Sequence, residues 1–206
     1  MAFRARGHEA YSCDIQHCAL WNHLEWHIGE DAVKLIRGGC TFETADGQTH
    51  RIEGRWDMLI AHPPCTYLTS ASAIRLFNPD HTIKSYERLK KGCEARELFF
   101  QFLNADCRRI AIENPTPLSF FQLPQYTQVI EPFQFGEPWR KRTCLWLKGL
   151  PALQPTEIVQ PMGLWVGSSS KRDSKYILKS QRNSKTRSKT FHGIAEAMAE
   201  QWGGMT

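Results

Sequence analysis

Asp57-Met58-Leu59-Ile60-Ala61-His62-Pro63-Pro64-Cys65 has a partner further along the chain, Arg109-Ile110-Ala111-Ile112-Glu113-Asn114-Pro115. Each begins as an apolar run of strand length and is stopped by proline, which has no N–H for a sheet ladder. Between them, Ile83 to Leu103 reads as a helix. Tyr86, Leu89, Cys93, Leu98, Phe99 and Phe102 form its apolar stripe, and Gly92 inside it costs about 1 kcal/mol of helix propensity. A strand–helix–strand unit returns its second strand parallel to the first, so both loaded loops open on one sheet edge. Ligands of open parallel α/β sheets sit in the crevice beyond the carboxyl ends of the strands. Cys65 and Glu113 therefore face one crevice. A thiol nucleophile opposite a carboxyl acid is a workable pair for attacking an electron-poor ring.

Working outward, Glu9 to Ile15 reads as a strand ending in Cys13-Asp14, and Asp31 to Arg37 as a short helix. Thr41 to Ile52 turns at Asp46-Gly47 as a small hairpin. Gln128–Phe133 and Thr143–Leu147 read as two further strands. Ile194, Met198 and Trp202 recur every four residues before Gly203-Gly204, which predicts a terminal amphipathic helix with a glycine stop. The alternation of strands and helices predicts an α/β domain with a mostly parallel sheet and helices on both faces, spanning 1–206 as one unit.

The 206 residues are 41% hydrophobic and 23% charged, enough for a globular core and unlike a disordered acidic chain. No stretch reaches the ~18 apolar residues of a membrane span, and the start lacks the apolar core of a secretory signal. Seven scattered cysteines without a C-x-x-C pair argue against a disulfide scaffold and a zinc module, and predict a cytoplasmic protein without a metal. The net charge of +5 is local. From Lys171 to Lys189 there are eight basic residues and one acid, net +7, so the rest of the chain carries −2. One basic loop, about 167–189, on a nearly neutral body predicts contact with a polyanion at a defined place, with Lys171, Arg172 and Lys175 as candidates.

The Pro63-Pro64-Cys65 loop after one strand, and Glu113-Asn114-Pro115 after the next, resemble motifs IV and VI of cytosine carbon-5 DNA methyltransferases. Phe135-Gly136-Glu137-Pro138-Trp139-Arg140-Lys141-Arg142 is similar to the F-G-x-P-Q-x-R-x-R segment of those enzymes. It is one residue shorter, with Trp139 where glutamine is usual. The stretches at 2–8, 61–69, 110–115, 143–151 and 193–203 resemble a compact, phage-type branch of the family.

The resemblance implies a Rossmann-like class I methyltransferase fold, S-adenosyl-L-methionine as cofactor and DNA as partner. It implies that Cys65 attacks carbon-6 of cytosine, that Glu113 holds and protonates ring nitrogen-3, and that Arg140 or Arg142 binds the base's carbonyl oxygen. Pro64, Thr66 and Asn114 would line the base site. Asp14 at a strand end would accept the cofactor's ribose hydroxyls, Asp31 would lie near its adenine amino group, and Pro63 beside its methyl end. A base in a duplex would have to be flipped out to be reached. With about 40 residues between Leu150 and Thr190 for target recognition, sequence specificity is expected to be loose or short.

The family's first strand and glycine turn would lie just before Phe3, whereas Met1 begins in the helix that follows them. Either the start lies further upstream, or the product is a remnant that binds the cofactor poorly. Two other functions stay open. One is methylation of an exocyclic amino group, whose enzymes carry two prolines and an aromatic after the same strand; here Cys65 holds the aromatic's place and Tyr67 follows two later. The other is a non-catalytic DNA-binding remnant. Blander roles compete residue by residue: Asp14 as a turn cap, Arg140 and Arg142 as surface cations, His62 as loop packing, and the basic stretch as a solvated tail.

Overall fold

The computed structural model describes residues 2–16, 21–164 and 190–205. Lys171, Arg172, Lys175, the basic loop around them, Cys18 and Trp165 lie outside the described residues. Within them the chain is a mixed α/β structure. It opens with helix α1 (Ala2–Ala5), followed by strands β1 (Ser12–Cys13) and β2 (His27–Ile28), which pair in parallel. Strand β1 is shorter than the sequence pattern predicts because its approach is held by side chains. The Arg4 guanidinium donates to the Ala10 carbonyl at 2.9 Å, and Tyr11 packs edge-on against Phe42.

Asp31 starts only one 3-10 turn, Ala32–Lys34, rather than a helix to Arg37. Strands β3 (Thr41–Glu43) and β4 (Thr49–Arg51) form the expected antiparallel hairpin, and Gly47 takes the positive φ of 86° that its turn requires.

The main sheet contains β5 (Met58–Ala61), β6 (Arg109–Asn114), β7 (Gln128–Ile130) and, after the short β8 (Trp139–Arg140), β9 (Thr143–Lys148). Its order is β5-β6-β9-β7. β5 and β6 are parallel neighbours, with Ala61 opposite Ile112. β9 runs antiparallel to both β6 and β7, so three strands share one direction and the fourth opposes them. The sheet is therefore mixed. Pro132 ends β7 short of Phe133 and opens a 3-10 turn, Pro132–Gln134. A last strand, β10 (Gly163–Leu164), pairs with β8.

Helix α2 (Ala73–Leu76) follows the β5 loop, and α3 (Tyr86–Leu103) links β5 to β6. The α3 stripe follows the sequence reading at Leu89, Leu98, Phe99 and Phe102, which pack into the core together with Gly92 and Ala95, but Tyr86 is 75% exposed and Cys93 lies at the surface. The helix is turned so that its smallest residues meet the molecule. A Cβ at Gly92 would stand 2.2 Å from the Phe121 ring, so the glycine is where an aromatic lies against bare backbone.

Alternation along β6 sorts the core. Ile110 and Ile112 join Phe99, Phe102 and Trp146 under α3. Ala111 joins Leu145, Ile130 and the buried stripe Ile194, Met198 and Trp202 of α4 (His192–Gly203) on the opposite face. Helix α1 docks on α4, with Phe3 in that second cluster and Arg6 paired to Glu196. Trp56 packs against both the α3 side and the cluster of Ile28, Leu35 and Phe42, so it joins the β1–β2 region to the main sheet. Among the described residues no helix is long and apolar enough to cross a membrane.

Candidate active site

The parallel register fixes the site. Since Ala61 pairs with Ile112, the next residue on each strand, His62 and Glu113, emerges at the same sheet edge. His62 Nδ1 lies 3.0 Å from Glu113 Oε2. One step further, the Asn114 side-chain amide donates to the Pro63 carbonyl at 3.4 Å. Beyond these contacts the two loops run together. Ser70 N–H donates to the Thr116 carbonyl at 3.0 Å, Thr69 bridges to Pro117, and Leu118 N–H donates to the Leu68 carbonyl at 2.6 Å. Cys65 lies inside this zipped segment, half-buried, and its carbonyl accepts the N–H groups of Leu68 and Thr69. The loop bearing Cys65 and the loop after Glu113 are thus hydrogen-bonded into one rim, as the strand–helix–strand pattern predicts. Thr66 and Pro64 are exposed on it, and the Thr66 carbonyl accepts from Arg88, which lies over the Tyr67 ring.

Glu113 is still in strand geometry, paired with Leu145, and alternation turns it to the α4 face, opposite to Asn114. Its side chain is only 14% exposed. Burial pushes its carboxyl up, but the hydrogen bond and charge of His62, with the ammonium of Lys141, outweigh this and hold it below the usual glutamate range. Lys141 Nζ stands 3.6 Å from Glu113 Oε1 and lies over the Phe191 ring. Asn114 is 2% exposed, and its Oδ1 is buried without a hydrogen-bond partner. A buried acceptor of this kind is costly unless something donates to it.

The basic run 140–142 divides between faces. Lys141 meets Glu113. Arg142 donates to Thr116 Oγ1 at 3.3 Å and to the Tyr126 hydroxyl at 3.2 Å, bracing the loop that follows Glu113. Arg140 is exposed in β8, with its guanidinium over the Phe133 ring. Sequence reasoning chose the two arginines and passed over the lysine between them. The signal was the two-residue alternation of an extended segment, which sends neighbours to opposite sides.

Asp14 and Asp31 lie just past the carboxyl ends of β1 and β2, and both are exposed. Each already accepts a local backbone N–H: Asp14 from Gln16 at 2.9 Å, Asp31 from Val33 at 3.0 Å. Both therefore cap turns. A carboxylate that accepts one N–H at one oxygen keeps lone pairs at the other, so the pair also fits a ligand presenting hydroxyl and amino donors. No protein-family model matches the chain, and no curated protein matches it.

Proposed function

We propose that the chain methylates carbon-5 of cytosine in DNA through a covalent adduct on Cys65. The observation that carries this is the zipped rim: the segment bearing the thiol and the segment bearing the carboxyl are hydrogen-bonded side by side.

In this reading the Cys65 thiolate bonds to carbon-6, and the ring's electron pair moves to carbon-5. Glu113 engages nitrogen-3, so that negative charge does not accumulate on the ring. Arg142, braced against Thr116, and Arg140 offer guanidinium donors for the base's carbonyl oxygen. Asp14 and Asp31 would hold the ribose and adenine of S-adenosylmethionine, with Pro63 near its reactive end. When bound, that cofactor supplies an electrophilic methyl group. Once carbon-5 is methylated, loss of its proton to solvent re-forms the ring double bond and expels the Cys65 sulfur. Pro64 and Thr66 line the base, Asn114 braces the Pro63 carbonyl behind them, and Lys171, Arg172 and Lys175 bind phosphates without reading sequence.

The test is methyl transfer to DNA followed by mass analysis of the nucleosides. Wild type should yield 5-methylcytosine, and Cys65→Ala should lose at least ~10⁴-fold, the scale of removing a covalent nucleophile. Equal activity in the variant, or methyl on an exocyclic nitrogen, would overturn the proposal.

A further inference from the structure

We infer that His62 is a positioning residue that carries protons from solvent to Glu113 for delivery to the base. The inference rests on the reading above, which needs a proton at nitrogen-3 when the sulfur adds to carbon-6.

Glu113 cannot readily meet that need alone. The His62 ring and the Lys141 ammonium stand against its oxygens and favour the carboxylate, and a carboxylate has no proton to give. His62 is placed to supply one. Its ring touches Glu113 Oε2 at 3.0 Å, while 45% of the side chain is exposed against 14% for Glu113. One side of the imidazole thus meets water and the other the buried carboxyl. Imidazole is the side chain that changes charge between about pH 5 and 8 without special tuning.

Among the described residues, these charged groups face the pair. Glu113 comes from β6, and Lys141 from the turn between β8 and β9 faces the carboxyl's other oxygen. Arg142 from the same turn is engaged with Thr116 and Tyr126. Cys65 follows three residues after His62.

The proton count closes. As the S–C6 bond forms, His62 Nδ1 gives its proton to the Glu113 carboxylate, which passes one on to nitrogen-3, leaving a neutral imidazole beside the carboxylate. When the sulfur leaves, nitrogen-3 releases its proton along the same path. Glu113 ends as carboxylate and His62 as imidazolium.

The experiment is single-turnover methylation of DNA against pH for wild type, His62→Gln and His62→Ala, with Cys65→Ala as the control. Glutamine keeps a donor to the carboxylate but cannot carry a proton. The wild-type rate should fall about tenfold per pH unit on the basic side of its profile. In His62→Gln that limb should vanish and the neutral rate drop about 10²-fold, with thermal stability and DNA affinity retained. Added imidazole should restore His62→Ala. An unchanged basic limb in His62→Gln, or an even loss at every pH with no imidazole rescue, overturns the inference. If Cys65-dependent product persists in those cases, the cytosine reading stands without it. If wild type makes no Cys65-dependent product, both fall.

Discussion

At the scale of single residues, Glu113 balances two opposed effects. Burial disfavours its charge, and His62 with Lys141 restores it beyond the ordinary value. A group whose folded pKa is depressed contributes stability above its unfolded pKa and loses it as pH falls through the folded one. Glu113 should therefore stabilise the fold fully at neutral pH, with the contribution fading below its ordinary 4.5. Thermal melts should show wild type losing more stability on acidification than Glu113→Gln; parallel losses would contradict this.

The placement of Cys65 and Glu113 on adjoining loops was legible in sequence because each sits at a proline-stopped apolar run. The contact of His62 with the carboxyl was not, since a histidine at a strand end reads equally as loop packing. Lys141 was masked by the arginines on either side, whose charge gives no hint of which face each occupies.

At the scale of elements, the apolar run of β6 and the four-residue recurrence in α4 were readable, because both elements bury their apolar residues in the core. The α3 stripe was readable at Leu89, Leu98, Phe99 and Phe102 and misplaced at Tyr86 and Cys93. Tyr86 and Cys93 are apolar by type but face outward, and the buried side is led by small residues that a hydrophobic pattern does not mark.

Gly92 shows what the small residue does. It admits Phe121, which is 3% exposed and anchors the segment after Asn114-Pro115. Gly92→Ala should raise helix propensity by about 1 kcal/mol yet force the ring aside at about 1–3 kcal/mol. The net expectation is a lower denaturation midpoint, and a higher one would show that the aromatic yields freely.

At the scale of the whole molecule, the α/β character followed from the order of strand and helix patterns, but the direction of β9 did not. A strand buried on both faces reads as a continuous apolar run whichever way it points, and Thr143–Lys148 is such a run. What the sheet does for function depends on β5 and β6, whose parallel register brings loops from distant parts of the chain onto one rim.

The most direct test of that convergence is trapping with DNA in which target cytosines carry fluorine at carbon-5. Fluorine in place of the departing proton blocks release of the sulfur after methylation. With S-adenosylmethionine present, wild type should give a denaturation-resistant protein–DNA adduct mapping to Cys65, and Glu113→Gln should form it far more slowly. No adduct from wild type, or an equal one from Cys65→Ala, would contradict the account.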